Sequence, residues 1–285
     1  MDPTIERVPG KPTELIITVQ PDDYKKTPKR FRTTKVISAY GAEPLRGRGT
    51  RVFEAIEIDK DGRSKGSAVV LKDIWIDHDR TREGAILAQI HKDAGEKDKI
   101  LVKKYFLTTM CHGDVLLEPG VVDDTKDCLM RGFEVNEANV FKLPKKNLKI
   151  TDKNSAPGSN SIRATSRFHA RHPIFRYPHK THYRIVFEEQ GITIDDIRSL
   201  PDVLTILAET ATGASSCISI RLKNLILVSP ALQLLRKLGW VHRDVSIGNI
   251  LSYEGGAKLA DLEYAKKMDD KAGGHNMRTA SVTLH

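Results

Sequence analysis

The stretch Gly239-Trp240-Val241-His242-Arg243-Asp244-Val245-Ser246-Ile247-Gly248-Asn249-Ile250-Leu251 decides the reading of this chain. Asp244 and Asn249 stand five residues apart. Asp261 follows twelve residues after Asn249, in Lys258-Leu259-Ala260-Asp261-Leu262-Glu263. An Asp and an Asn on one loop, followed by a second Asp ending a short strand, meet the needs of phosphoryl transfer. One carboxylate orients the attacking hydroxyl and accepts its proton, while an amide oxygen and a second carboxylate hold Mg²⁺ against the phosphates. These are hard oxygen donors, which such an ion prefers. Singly, Asp244, Asn249 and Asp261 read as turn residues or caps, and His242 as a satisfied core histidine. Their joint order and spacing carry the argument.

The segment resembles the H-R-D-x-x-x-x-N catalytic loop of eukaryotic protein kinases, followed by a variant of the D-F-G motif. Its spelling, with Asp261-Leu262-Glu263-Tyr264-Ala265-Lys266 downstream, is most similar to the fungal-type protein kinase family, over roughly residues 41–285. The resemblance implies an α+β, bilobal fold with a β-rich N-lobe and a helical C-lobe that is incomplete here. It implies ATP and Mg²⁺ as cofactors and a protein substrate whose Ser or Thr takes the γ-phosphoryl group. Asp244 would be the catalytic base, with Asn249 and Asp261 as metal ligands. Arg243 would dock a phosphorylated Thr279 or Ser281.

Upstream residues extend the resemblance. Val69-Val70-Leu71-Lys72 matches the V-A-I-K pattern and reads as a strand ending in lysine, with Lys72 on the α/β-phosphates. Arg82-Glu83-Gly84-Ala85-Ile86-Leu87 looks like the αC segment, making Glu83 the partner of Lys72. Gly47-Arg48-Gly49 stands where a phosphate-covering loop belongs, although the third glycine is missing, so Gly47 and Gly49 are its cofactor-binding candidates. Phe187 falls at the gatekeeper position, and Glu188 to Gln190 offer backbone hydrogen bonds to adenine. Lys72 and Glu83 alone would be ordinary surface charges.

Local patterning gives the elements. Arg51 to Ile58 and Ala68 to Leu71, around Asp61-Gly62-Arg63, read as a hairpin. Arg82 to Lys92 reads as a helix capped by Asp79 or Thr81. Residues 100–117 suggest a strand pair around Cys111 to Asp114, and Tyr183 to Phe187 a strand. Helical spacing recurs over Ile194 to Leu200, Asp202 to Ala211 and Leu232 to Leu238. Leu15 to Val19 could form an edge strand, and Lys25 to Arg32 reads as a solvated connector. The expected division is an extension over 1–40, an N-lobe over 41–190 with a polar insertion at about 119–182, and a partial C-lobe over 191–285. Within the insertion, 151–170 is expected to be mobile.

The departures matter as much. Ser246 stands where most Ser/Thr kinases place a lysine, which removes a cation from the transferring phosphoryl group. Glu263 replaces the glycine of the D-F-G motif and restricts the backbone there. The chain stops at His285, where related kinases continue for several helices, so low stability or dependence on a partner is expected. Gly213 to Pro230 interrupts a helical period that would otherwise run through Val203, Leu207, Ala211, Leu232 and Leu235. These 18 residues read as translated intron, and Ala280 to His285 as a second read-through; the alternative is a real loop with a genuine truncation.

Composition bounds the remainder. The chain has 285 residues, 39% hydrophobic, enough for a core, and wholesale disorder is excluded. Its formal charge of +9 is spread along connectors, so nucleic acid is not an expected partner. No membrane span or secretory leader is read, and three cysteines without a C-x-x-C pair point to a reducing compartment, the cytoplasm or else the nucleus. Two other functions remain open. One is a truncated or inactive kinase-like module that acts by binding; the other is a small-molecule kinase of the aminoglycoside or choline type, against which Arg243 and Arg278-Thr279 count.

Overall fold

The computed structural model describes residues 2–23, 25–39, 49–131, 179–193 and 230–268. Strand formation dominates. β1 (Ile5–Val8), β2 (Lys11–Val19), β3 (Lys29–Ala39), β4 (Arg51–Ile58) and β5 (Ser64–Asp77) pair in chain order as antiparallel neighbours. After β5 come helices α1 (Glu83–Asp93) and α2 (Glu96–Tyr105), then β6 (Thr109–Asp114) and the small pair β7 (Leu116–Glu118) and β8 (Val121–Val122). β9 (Lys180–Phe187) inserts between β5 and β6, giving a seven-stranded sheet ordered β1-β2-β3-β4-β5-β9-β6. The remaining elements are β10 (Ile192–Thr193), a helix α3 over 230–237, β11 (Trp240–Val241), β12 (Ile250–Tyr253), β13 (Gly256–Leu259) and β14 (Lys266–Lys267). β10, β12 and β13 form one small sheet, β11 and β14 another.

The period of two places alternate residues of β5 on opposite faces. Val69 and Leu71 join Ile17, Val19, Phe31, Phe53, Ala55 and Val186 in one apolar cluster. Ile74 and Ile76 face the other way, onto Ile86, Leu87 and Ile90 of α1 and Val102 of α2. That second cluster continues into Leu235, Trp240, Ile250, Leu259 and Leu262, so one core joins the large sheet to the segment 235–262. Trp240 Nε1 adds a hydrogen bond to Asp93 at the end of α1 (3.0 Å).

The α+β class and the hairpin around Asp61-Gly62 are as expected, and several local expectations need correction. Leu15 to Val19 is not an edge strand: β1 pairs outside it, Ile5 opposite Ile17. Lys29 to Arg32, read as connector, opens β3; Phe31 and Thr33 are buried, Lys29 on their face pairs with Glu57, and Arg30 on the opposite face pairs with Glu6. The strand carrying Lys72 does not end there but runs on to Asp77. Residues 96–105, partly read as strand, form α2, whose single buried residue, Val102, left little period to detect. Neither Asp79 nor Thr81 caps α1: Arg82 is the N-cap and makes no side-chain cap bond. The buried Tyr183 hydroxyl instead accepts the Gly84 N–H (3.0 Å), one of the donors a helix start leaves unpaired. The expected mobile stretch 151–170, the helices over 194–200 and 202–211, and residues 213–229 lie outside the described residues, while Pro230, the last residue of the expected insertion, is the first of α3.

Strands β1 to β3, from the stretch set apart as an extension, are hydrogen-bonded into the large sheet. The sheet also curls on itself. Beyond β2, the Asp22 N–H donates to the His112 carbonyl of β6 (2.8 Å). Gly113 permits that approach, since a Cβ there would stand 2.0 Å from the Gln20 carbonyl oxygen.

A charged cluster fills the closure. Arg184 of β9 is 1% exposed, and its guanidinium binds Asp73 Oδ1 (2.8 Å), the Thr18 carbonyl (2.8 Å), Thr4 Oγ1 (2.6 Å) and Asp2. Asp73 also receives Arg51 (Nε, 2.9 Å) and His182 Nε2 (2.8 Å), while His182 Nδ1 reaches Asp123 (2.8 Å). The His182 ring stacks on Trp75 at 4.7 Å. Burial works against the imidazolium. The hydrogen bonds to Asp123 and Asp73, with the charge of Asp73, outweigh it and raise the His182 pKa. A proton held more tightly in the folded than in the unfolded chain stabilises fully below about pH 6.5, the ordinary histidine value, and less as pH rises through the folded pKa. Wild-type stability is therefore expected to fall as pH rises above about 6.5, measured as the urea midpoint. His182→Gln is expected to flatten that slope, and an unchanged slope in the variant would contradict the assignment.

Candidate functional site

The ordering of β5 and α1 creates the site. Lys72 lies on the α1 face of β5, between Leu71 and Asp73 on the other face, because the strand alternates. Its Nζ is 3.1 Å from Glu83 Oε2 and 2.7 Å from Asp261 Oδ1. Glu83 opens α1 and is 4% exposed; its other oxygen accepts the Leu262 N–H (2.9 Å). One ammonium therefore ties together the sheet, the helix and the strand end that carries Asp261. Burial works against the Lys72 charge, but the carboxylates of Asp261 and Glu83 outweigh it and hold the lysine firmly protonated. Burial raises the Glu83 pKa, and the charge of Asp261 adds to this against the pull of Lys72, leaving it above the ordinary carboxylate range. Two carboxylates sharing one cation leave a net negative site.

Gly84 follows Glu83 because its neighbour demands it. A Cβ on residue 84 would fall 2.1 Å from the His112 ring. Gly84→Ala is expected to push α1, and Glu83 with it, off β6, at a cost of about 1–3 kcal/mol by overpacking. Urea unfolding measures this, and unchanged stability would show that His112 moves aside freely.

The catalytic-loop residues are fixed mostly through backbone. His242 is 2% exposed; Nε2 lies 3.1 Å from the Ala260 carbonyl, and Nδ1 lies 3.3 Å from the Asp244 N–H. The network assigns the neutral Nε2–H tautomer, and burial holds the His242 pKa below its usual value. The Asn249 Nδ2 amide donates to the Asp244 carbonyl (2.9 Å), which turns Oδ1 of Asn249 to the opposite side. The Asn249 carbonyl accepts the Ala260 N–H (2.8 Å). Asp244, Asn249 and Asp261 are thus joined through His242 and the end of β13. Asp261 (φ 59°) and Arg243 (φ 71°) are both held in the left-handed region, which costs a non-glycine residue roughly 1–3 kcal/mol.

The hinge candidates divide. Phe187 is buried at the end of β9, within the core that faces α1. The Glu188 N–H donates to the Thr108 carbonyl (3.0 Å), so the adenine contact expected of Glu188 would fall to its carbonyl. The Gln190 side chain reaches Glu54 of β4 (2.5 Å). Glu189 between them is structural, accepting from Thr108 N and Oγ1 (both 2.7 Å) and from Lys258 Nζ (3.0 Å). The buried Lys258 also donates to the carbonyls of Lys103 (2.6 Å) and Phe106 (2.7 Å), stapling α2, the hinge and β13. Gly49, with φ 50°, leads into β4, while Gly47, Thr279 and Ser281 lie outside the described residues. Sequence reasoning passed over Lys258, Glu189 and Arg80. An isolated Lys, Glu or Arg in a polar stretch carries no signal of burial.

Asp261, beside the Lys72 ammonium, and the Oδ1 of Asn249 are two hard oxygen donors. Magnesium fits that set, because it keeps waters and takes phosphate oxygens rather than filling a protein cage. Among the described residues no group of three or more His, Cys, Asp or Glu side chains could hold a metal alone.

The family described as fungal protein kinase matches residues 1–284. The chain belongs to that family. Among solved structures, a crystal structure of a kinase domain is similar at 12% identity and a TM-score of 0.37, over 85% of this chain. The chain spans about half of that domain, 53% of its length. No curated protein matches significantly. Among the described residues of this family member, no helix is long and apolar enough to cross a membrane.

Proposed function

We propose that this family member transfers the γ-phosphoryl group of ATP to Ser or Thr hydroxyls of protein substrates with Mg²⁺. The supporting observation is the junction of Lys72, Glu83 and Asp261 in one ion cluster, with Asn249 bonded to Ala260 at the same strand end and Asp244 joined to it through Asn249 and His242. Lys72 would hold the phosphates, its orientation fixed by Glu83. Asp244 would orient the attacking hydroxyl and take its proton as the new O–P bond forms and the bond to the β-phosphate oxygen breaks. Asp261 and Asn249 would hold Mg²⁺, which when bound supplies positive charge against the β/γ-phosphates. Gly47 and Gly49 would cover the phosphates, and Glu188 and Gln190 would meet the purine through backbone. Arg243 would engage a phosphorylated Thr279 or Ser281. The two lobes would meet near Gln190, with residues before it forming the N-lobe.

Incubation of the full chain with γ-labelled ATP, Mg²⁺ and a mixed protein substrate tests the reading. Acid-stable label recovered as phosphoserine or phosphothreonine is expected. Label confined to phosphotyrosine would overturn the Ser/Thr assignment. Transfer to an aminoglycoside or choline but to no peptide would select a small-molecule kinase. Nucleotide-induced thermal stabilisation without transfer would select a binding module.

A further inference from the structure

Arg80 occupies the turn between β5 and α1, away from the residues assigned above, yet it reaches the Asp261 segment. Its backbone N–H donates to the Asp77 carbonyl (3.0 Å), and its guanidinium pairs with Asp77 Oδ2 (2.7 Å). From that anchor the guanidinium lies 4.1 Å from the centroid of the Tyr264 ring. It also lies 3.9 Å from Glu263 Oε1, a carboxylate on a residue only 4% exposed. The Arg80 side chain is itself only 14% exposed, so this is a desolvated contact rather than a surface pair.

Tyr264 and Glu263 belong to the short 3₁₀ turn Leu262–Tyr264 that begins directly after Asp261. Asp261 sits in a left-handed conformation that a non-glycine residue keeps only when its surroundings over-determine it. On the Asp261 side, Lys72 and the Leu262 N–H bond to Glu83 supply that restraint. On the far side of the turn, Arg80 supplies a charge contact and a cation–π contact. A glutamate two residues after Asp261 removes backbone freedom and gives the arginine a partner.

We propose that Arg80 is a positioning residue: it latches the Asp261 turn against the start of α1 and so sets the affinity for the divalent ion. The metal half of this inference rests on the phosphoryl-transfer reading, whereas the latch itself does not. Two measurements on the full chain therefore separate them. The first is hydrogen exchange of the Leu262 amide, whose bond to Glu83 reports the turn. Arg80→Ala is expected to speed it about tenfold relative to the core amides of β5, the loss of roughly one cation–π or ion-pair contact. The second is Mn²⁺ binding, read by electron paramagnetic resonance with a non-hydrolysable ATP analogue. Arg80→Ala is expected to weaken it by a similar factor, leaving metal-free nucleotide affinity within about twofold. Arg80→Lys, which keeps a cation near Asp77 and Tyr264, is expected to recover part of both effects. Tyr264→Leu removes the ring while keeping the Asp77 pair, and serves if Arg80→Ala does not fold. Leu262 exchange unchanged in a folded Arg80→Ala or Tyr264→Leu chain would overturn the latch. Wild-type protein that binds no Mn²⁺ with nucleotide would instead refute the phosphoryl-transfer reading, and the exchange data would still decide the latch.

Discussion

Asp244→Asn is expected to lower the rate of phosphotransfer by about 10²- to 10⁴-fold, the range a positioned general base contributes. The loop should survive the change, because the described bonds that hold it run through backbone atoms of Asp244. Its N–H meets His242 Nδ1 and its carbonyl accepts the Asn249 amide. The substituted amide keeps the volume but cannot accept the hydroxyl proton. Single-turnover kinetics should therefore show a lost chemical step with Mg·ATP affinity and thermal midpoint close to wild type. A variant that transfers phosphate at the wild-type rate would remove Asp244 from the mechanism.

The largest stability effect is expected at Arg184→Ala, about 3–5 kcal/mol, the cost of stranding a buried charge. Asp73, 1% exposed, would keep Arg51 and His182, while Asp2, Thr4 and the Thr18 carbonyl would lose the arginine donor. In thermal unfolding this corresponds to a fall of roughly 6–20 °C. The consequence reaches the site, because Asp73 directly follows Lys72 on β5 and is held on the opposite face. The cost comes from the unpaired partner rather than from the worth of the pair. Replacing Arg184 and Asp73 together by apolar residues of similar size is therefore expected to cost less than Arg184→Ala. Acid should weaken the cluster as well. Burial raises the Asp73 pKa, but the His182 and arginine contacts outweigh it and hold the carboxyl well below its usual range. That contribution is full above about pH 4, the ordinary aspartate value, and is lost as pH falls through the depressed folded value. A folded Arg184→Ala chain with wild-type stability would show that the cluster contributes little.

The candidate site was legible because the phosphoryl-transfer reading asks for particular residue types at fixed separations, which Asp244, Asn249 and Asp261 show. The β4–β5 hairpin was legible because Asp61-Gly62 marks the turn and apolar residues alternate on both sides. Sheet order was not. Whether Leu15 to Val19 lies at an edge depends on β1 folding back onto it, a pairing that no local pattern encodes. Helix α2 buries one residue and so has almost no period. The buried roles of Arg184, Lys258 and Arg80 depend on partners from 69 to 183 positions away for the bonds to Glu189, Asp73, Asp2 and Glu263, beyond the reach of spacing arguments. His242 is a satisfied core histidine, as its residue type alone suggests. Its two bonds also give it a part in the site, because they join Asp244 to the strand end before Asp261.

The central claim is that Lys72, Glu83, Asp261, Asn249 and Asp244 form one phosphoryl-transfer centre. Its most direct measurement follows the γ-label of ATP onto protein hydroxyls for wild type and for Lys72→Ala, with thermal shifts by Mg·ATP recorded on the same samples. Transfer and nucleotide stabilisation are expected in wild type, and loss of both in a Lys72→Ala chain that remains folded. Equal transfer and equal nucleotide stabilisation in Lys72→Ala would contradict it.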